Sequence, residues 1–186
     1  MPERVDVWVV PLDPTDEELA RLIDVLSLEE LRRANGPPLT HRKRRYVARQ
    51  AAVRSILGER TGAAPEQVRF TRSQHGKPGL AGGDDLSFSV SDSGDLALVA
   101  VAARDVGIDV EQIRARPIAA RAGLLGVDDF FERWTRWEAI GKARGRGLAG
   151  AREHEGLTCT SLDVAPGFAA AVAVAADRIE VRLRPY

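Results

Sequence analysis

The sequence predicts an α/β fold of two similar halves, each a small, mostly antiparallel sheet packed on a long helix. Two apolar runs of strand length, DLALVAVAARD at 95–105 and FAAAVAVAADR at 168–178, share one pattern, an apolar strand running into a charged turn. A long helix-compatible stretch precedes each of them, about Thr40 to Leu57 in the first half and Asp128 to Lys142 in the second. Val5 to Val10 alternates weakly, and Leu86 to Ser93 and the final IEVRLRP alternate. The division falls at residues 1–103 and 104–186, and a chain of 186 residues is long enough for two small subdomains that share a core.

Composition narrows the function. A chain that is 44% hydrophobic and 29% charged reads as soluble and globular, and 27 basic against 27 acidic residues argues against a general nucleic-acid binder. The balance is uneven, because His41 to Arg54 carries Arg42, Lys43, Arg44, Arg45, Arg49 and Arg54 with no acid among them, a field suited to an anion with several phosphates. Its bland alternative is a solvated helix face. No apolar stretch approaches the ~18 residues of a membrane span, and MPERVDVWVVPLD has only a run of strand length, so neither membrane nor targeting segment is expected. The single Cys159 excludes an internal disulfide framework and fits a reducing, cytoplasmic compartment.

In chain order, Val5 to Val10 reads as a strand ended by Pro11. Thr15 caps a helix with Glu18 three residues on, and Leu19, Leu22, Ile23 and Leu26 continue at helical spacing to Leu31. Gly36-Pro37-Pro38 interrupts. Thr40 opens a second helix that runs to Gly58 or Gly62. Gln67 to Thr71 is a short strand, His75 to Gly79 a turn, and Leu86 to Ser93 an alternating strand whose small polar residues either bind phosphate or cap the strand. That strand pairs with Leu96 to Ala102 across Gly94-Asp95. GIDVE (107–111) is a strand, Cys159 to Val164 and Phe168 to Ala176 pair, and IEVRLRP is a last edge strand closed by Pro185.

The chemistry concentrates at two places. Asp109 and Glu111 are two apart on an extended segment and share a side; Glu138 and Lys142 are four apart on a helix and share a face. An isolated Glu–Lys pair on a helix is usually a surface ion pair. Three carboxylates and a lysine, however, suffice to gather one metal ion and one phosphate.

Four motifs in order, GKP (76–78), FSVSDS (88–93), GIDVE (107–111) and WTRWEAIGK (134–142), resemble the 4'-phosphopantetheinyl transferases of the surfactin-synthetase-activating type. Their signature is G-I/V-D-x-E followed by W-S/T-x-K-E-x-x-x-K, and the likeness covers nearly the whole chain, with SLEELRR to VRSIL similar to the family's basic N-terminal helix. The resemblance implies transfer of the phosphopantetheine arm of coenzyme A to a serine of an acyl or peptidyl carrier protein, with release of 3',5'-ADP. It further implies Mg2+ held by Asp109, Glu111 and Glu138, whose oxygens suit that ion. Glu138 would be the base, directly or through a water, and Lys142 would bind the phosphates. By the same resemblance Arg45 and Lys77 hold the nucleotide end, Arg33 lies near the 3'-phosphate, and Ser91 and Asp92 occupy cofactor-contacting positions; Arg49 is a candidate on charge alone. The N-terminal half would bind the nucleotide and the C-terminal half supply metal and catalytic helix. Two fused halves imply a monomer.

Three positions depart from the family pattern, each losing a positive or proton-donating group: Asp92 stands where the family has histidine, Trp137 where lysine precedes the glutamate, and Glu30 where a lysine would align. An unpaired carboxylate ~4 Å from a phosphate costs up to about 4 kcal/mol at an effective dielectric near 20. Asp92 would therefore pair with an arginine of the 42–49 cluster or join the metal shell. The alternative function is a catalytically altered relative that binds carrier protein or nucleotide. The short span from Asp109 to Trp134 trims the region expected to dock the carrier. Phe130, Phe131 and Trp134 are candidates for that surface, with core packing the alternative for Phe131 and Trp134.

Overall fold

The computed structural model describes residues 1–34, 40–82, 85–114, 127–152 and 154–186. Strand β1 (Glu3–Pro11) sends Val5 and Val7 to one face of its sheet and Trp8 and Val10 to the other, both buried. Thr15 caps helix α1 (Asp16–Ile23) by a reciprocal pair: its Oγ1 accepts from the Glu18 amide at 3.2 Å, and Glu18 accepts from the Thr15 amide at 2.7 Å.

The single helix expected to reach Leu31 is in fact two. A second reciprocal cap restarts the chain at Ser27, whose Oγ accepts from the Glu30 amide at 3.3 Å while Glu30 accepts from the Ser27 amide at 2.8 Å. Helix α2 (Leu28–Ala34) follows. The interruption expected at Gly36-Pro37-Pro38 lies outside the described residues. Helix α3 (His41–Thr61) ends at Gly62, which takes the left-handed conformation at φ 74° that favours glycine at a helix C-terminus.

Strand β2 (Phe70–Arg72) starts later than expected because Pro65–Gln67 forms a 3-10 turn, and it pairs with β3 (Pro78–Leu80), so Pro78 and Gly79 belong to a strand rather than to the turn. Strands β4 (Ser87–Ser93) and β5 (Leu96–Ala102) form the expected hairpin across Gly94-Asp95. Of the two turn residues Gly94 has positive φ, 62°, and Asp95 does not, the glycine-first geometry of a type II′ turn. The second half contains β6 (Val106–Gln112), α4 (Val127–Arg144), β7 (Thr158–Leu162), β8 (Phe168–Val174) and β9 (Ile179–Pro185).

The two halves repeat one topology. In the first sheet β5 lies between β4 and β1, antiparallel to both; in the second β8 lies between β7 and β6, antiparallel to both. Strand β9 then crosses back and pairs parallel with the outer edge of β1, giving the order β4-β5-β1-β9. The sheets pack face to face: Val5, Val7, Leu98 and Ala100 of one meet Val106, Ile108, Val172 and Val174 of the other. Helix α3 covers the outer face of the first sheet through Ala48, Ala52, Ile56 and Leu57, and α4 covers the second through Ala139 and Ala143. Strand β5, buried on both faces, accordingly reads as an uninterrupted apolar run. No described helix is long and apolar enough to cross a membrane.

Candidate active site

The site lies where β4 runs beside β6. Strand β6 is an edge of its own sheet, so its outward amides need partners. Serines at every second position of β4 supply them. Ser87, Ser89 and Ser93 hydroxyls accept from the amides of Val106, Ile108 and Gln112 at 3.3, 3.1 and 3.1 Å. The fourth serine of the row, Ser91, donates instead to Asp109 Oδ1 at 2.7 Å, and Ser93 also donates to Glu111 Oε2 at 2.8 Å. Strand capping, one of the two roles expected for these small polar residues, is not what the described contacts show. The row stitches one sheet to the other and fixes the two acids of GIDVE against β4. Its signal was the serine alternation at 87, 89, 91 and 93.

Helix α4 supplies the other two groups. Lys142 Nζ donates to Asp109 Oδ1 at 2.6 Å and to Ser91 Oγ at 3.0 Å. The approach is close because Gly107 of β6 has no side chain: a Cβ there would overlap the Ala139 carbonyl and Ala143 nitrogen and lie 2.9 Å from the Lys142 carbonyl carbon. Glu138, one turn before Lys142, has its carboxyl pushed above the ordinary value by burial and by the charges of Asp109 and Glu111, with Lys142 opposing. Asp109, Glu111, Glu138 and Lys142 are thus brought into one electrostatic neighbourhood.

Among the described residues no three acidic, imidazole or thiol groups converge closely enough to form a ready metal cage. Asp109 Oδ2, however, is buried with no hydrogen-bond partner. A buried carboxylate oxygen without a partner is costly, and beside two further carboxylates it suits a hard cation. Magnesium takes one or two carboxylates together with waters and substrate phosphates, so an all-protein cage is not required. The oxygens present fit that ion.

On the other side of β4 runs a groove of about 960 Å3 between α2, α3, β2 and β4, lined by Arg33, Arg49, Arg54, Arg69 and Arg72 against Glu29, Glu30 and Glu66. Its volume is near the upper end for small-molecule sites, and its net charge is positive. Arg33 pairs with Glu29 at 2.5 Å, and Arg49 with Asp92 at 2.6 Å. The structure thus pairs Asp92 with an arginine of the 42–49 cluster.

Other residues singled out in the sequence are held by partners of their own. Arg45 does not line the groove; it grips both Asp13 oxygens and the Gly94 carbonyl, holding the β4–β5 turn. Lys77 donates to Asp105 and to the Ala143 carbonyl at the end of α4. Glu30 is 7% exposed and is held by Ser27, by Gln50 at 2.9 Å and by the buried Arg54 at 2.7 Å. Phe131 is 3% exposed, in the core, whereas Phe130 and Trp134 stack at 6.2 Å and the exposed Trp137 meets Trp134 edge-on at 5.7 Å. The segment 115–126, within the span expected to dock the carrier, lies outside the described residues.

Comparison with known proteins identifies the family. A family model described as "4'-phosphopantetheinyl transferase, N-terminal" matches residues 11–104. The 4'-phosphopantetheinyl transferase HetI of Nostoc sp. is 37% identical over 193 residues, spanning 89% of this chain and 81% of its own length. The 4'-phosphopantetheinyl transferase psf-1 of Bacillus pumilus is 26% identical over 77% of this chain and 70% of its own. The 4'-phosphopantetheinyl transferase Sfp of Bacillus subtilis is 25% identical over 73% and 67%.

Proposed function

Because the chain belongs to the 4'-phosphopantetheinyl transferases, we propose that it moves the phosphopantetheine arm of coenzyme A to a serine hydroxyl of an acyl or peptidyl carrier protein and releases 3',5'-ADP. The carrier serine oxygen forms a bond to the β-phosphorus, the bond from that phosphorus to the bridging oxygen of 3',5'-ADP breaks, and the serine proton goes to a base. The observation that supports this site is the Asp109 carboxylate: Oδ1 is fixed by Ser91 and Lys142, and Oδ2 is buried and unpartnered beside Glu138.

In this reading Asp109, Glu111 and Glu138 hold Mg2+, which when bound supplies positive charge for the diphosphate and for the charge that grows on the leaving group. Glu138 takes the serine proton; a carboxyl whose basicity is raised by burial and like charges is suited to that task. Lys142 is carried by α4 next to Asp109 and brings a point charge to the phosphates. The positive groove takes the nucleotide end, with Arg33 and Arg49 on its wall, and Ser91 fixes Asp109. Arg45 and Lys77 act by holding the β4–β5 turn and the end of α4. Phe130, Trp134 and Trp137 offer an aromatic surface beside Glu138 for the carrier.

The protein works in this account as a monomer in the cytoplasm, serving carrier proteins of fatty-acid, polyketide or nonribosomal-peptide synthesis. Cys159 is no nucleophile there, since burial pushes its thiol up. The alternative of a non-catalytic relative needs the substituted positions to be deficits, yet Asp92 and Glu30 are each neutralised by an arginine.

The test is intact-mass analysis of apo carrier proteins incubated with the protein, coenzyme A and magnesium. The expected result is addition of one phosphopantetheine mass that a chelator abolishes. No addition across the panel together with no detectable coenzyme A binding would overturn the reading.

A further inference from the structure

Strand β4 sends neighbouring side chains to opposite sides. Ser91 and Ser93 face β6 and bond Asp109 and Glu111; Asp92 between them meets α3, where its Oδ1 accepts from Arg49 Nη1 at 2.6 Å. Arg49 lines the groove and Asp92 does not. The guanidinium carbon of Arg49 lies 5.7 Å from the centre of the Tyr46 ring, and its Nε is buried with no hydrogen-bond partner. One edge of the guanidinium is therefore anchored and one face covered, yet a buried donor remains unused. With side chains 30% and 41% exposed, such a pair contributes at most about 1 kcal/mol to stability.

We propose that Asp92 is a positioning residue: it holds Arg49 on the groove wall across β4 from the carboxylate site, so that the guanidinium binds the diphosphate of the substrate. This rests on the transferase reading and deepens it. The diphosphate is favoured over the 3'-phosphate by position along β4, because Asp92 stands at the same level of the strand as the two serines that hold Asp109 and Glu111, on its opposite face. A carboxylate on this strand cannot donate to a phosphate itself. It instead orients a planar donor from the neighbouring helix, and the pair as a whole adds no net charge.

The experiment compares the parent with Asp92→Ala, Asp92→Glu, Arg49→Ala and the double alanine variant. Thermal melts check folding. KM and kcat are measured for transfer, and dissociation constants for coenzyme A and 3'-dephospho-coenzyme A by titration without a carrier, so the binding arm reads even if no transfer occurs. Each alanine variant is expected to weaken coenzyme A binding and raise KM by about ten- to hundred-fold, the loss of one charge-assisted hydrogen bond, with kcat within about two-fold. The double variant should be no worse than Arg49→Ala, Asp92→Glu should recover most of the affinity, and both ligands should suffer equally. Unchanged or tighter binding in Asp92→Ala, or effects of the two alanines that simply add, would overturn the positioning role. A loss confined to coenzyme A would overturn the assignment to the diphosphate. Absence of transfer in the parent with the binding pattern intact would count against the transferase reading instead.

Discussion

Glu138 and Glu30 are acids whose surroundings act on them in opposite directions. For Glu138, burial and the charges of Asp109 and Glu111 raise the pKa despite Lys142. A carboxyl raised in the folded state lowers stability: the cost is absent below its ordinary 4.5 and grows as pH rises through the interval up to the folded value. A bound cation removes that cost. Glu138→Gln is therefore expected to raise the melting temperature of the metal-free protein at neutral pH by a few degrees, roughly what ~1 kcal/mol gives a domain of this size. If the proposed site binds magnesium, the substitution should also abolish most of the increment expected from that ion in the parent, and slow carrier modification at least ~100-fold. A variant that melts lower, or answers magnesium as the parent does, would remove Glu138 from the metal site. For Glu30, burial again raises the pKa, but Arg54 and Ser27 outweigh it and the net shift is down. Its contribution is present above 4.5 and is lost as pH falls through the depressed folded value. Glu30→Gln leaves Arg54 buried without its counter-charge and should cost about 3 kcal/mol in urea unfolding at neutral pH, with the difference from the parent shrinking in acid. That Asp109, Glu111, Glu138 and Lys142 share one neighbourhood was legible from residue type and spacing. Glu30 was not, because Ser27-x-x-Glu30 reads as a cap only once the helix is known to break there.

At the scale of elements, the site depends on two interfaces that the strand and helix patterns did not announce. The first is the serine row between β4 and β6. A hydroxyl that serves the edge of another sheet looks, in sequence, like any polar residue on an alternating strand. Ser89 is 6% exposed and accepts the Ile108 amide. Ser89→Ala removes only the hydroxyl and orphans that amide, at an expected cost of about 1–3 kcal/mol by chemical denaturation, with transfer reduced through displacement of β6. The second is the contact of β6 with α4 at Gly107. Gly107→Ala drives a methyl into the helix backbone, and neither element can yield without moving Lys142 or Asp109. That variant is expected to lose transfer far out of proportion to its loss in melting temperature. Were it to retain parental activity, the close approach would be irrelevant to the site. The GIDVE motif was legible as a strand bearing two acids; that its glycine admits a helix depends on what packs behind it.

At the scale of the molecule, the repeat of strand, helix and hairpin was visible in the paired apolar runs, but the way the halves close on each other was not. An apolar strand face does not say whether a helix or another sheet will cover it. Here the inner faces of both sheets cover each other, and β9, encoded in the second half, completes the first. Its Arg184 donates to Asp6 at 2.9 Å; Asp6 is 1% exposed and is also held by Arg60 of α3 at 3.2 Å. The expected division at 103/104 thus separates two units of chain but cuts through shared packing. Residues 1–103 expressed alone would expose Val5, Val7, Leu98 and Ala100, leave the outer edge of β1 unpaired and deprive Asp6 of Arg184. Exposed apolar sheet faces and open edges favour aggregation. The fragment is expected to bind a hydrophobic dye and to melt without a cooperative transition, whereas fragments 1–103 and 104–186 produced together should associate and recover transfer. A cooperative, monomeric fragment 1–103 would show that each half folds by itself, and that the face-to-face packing adds the site without being needed for the fold.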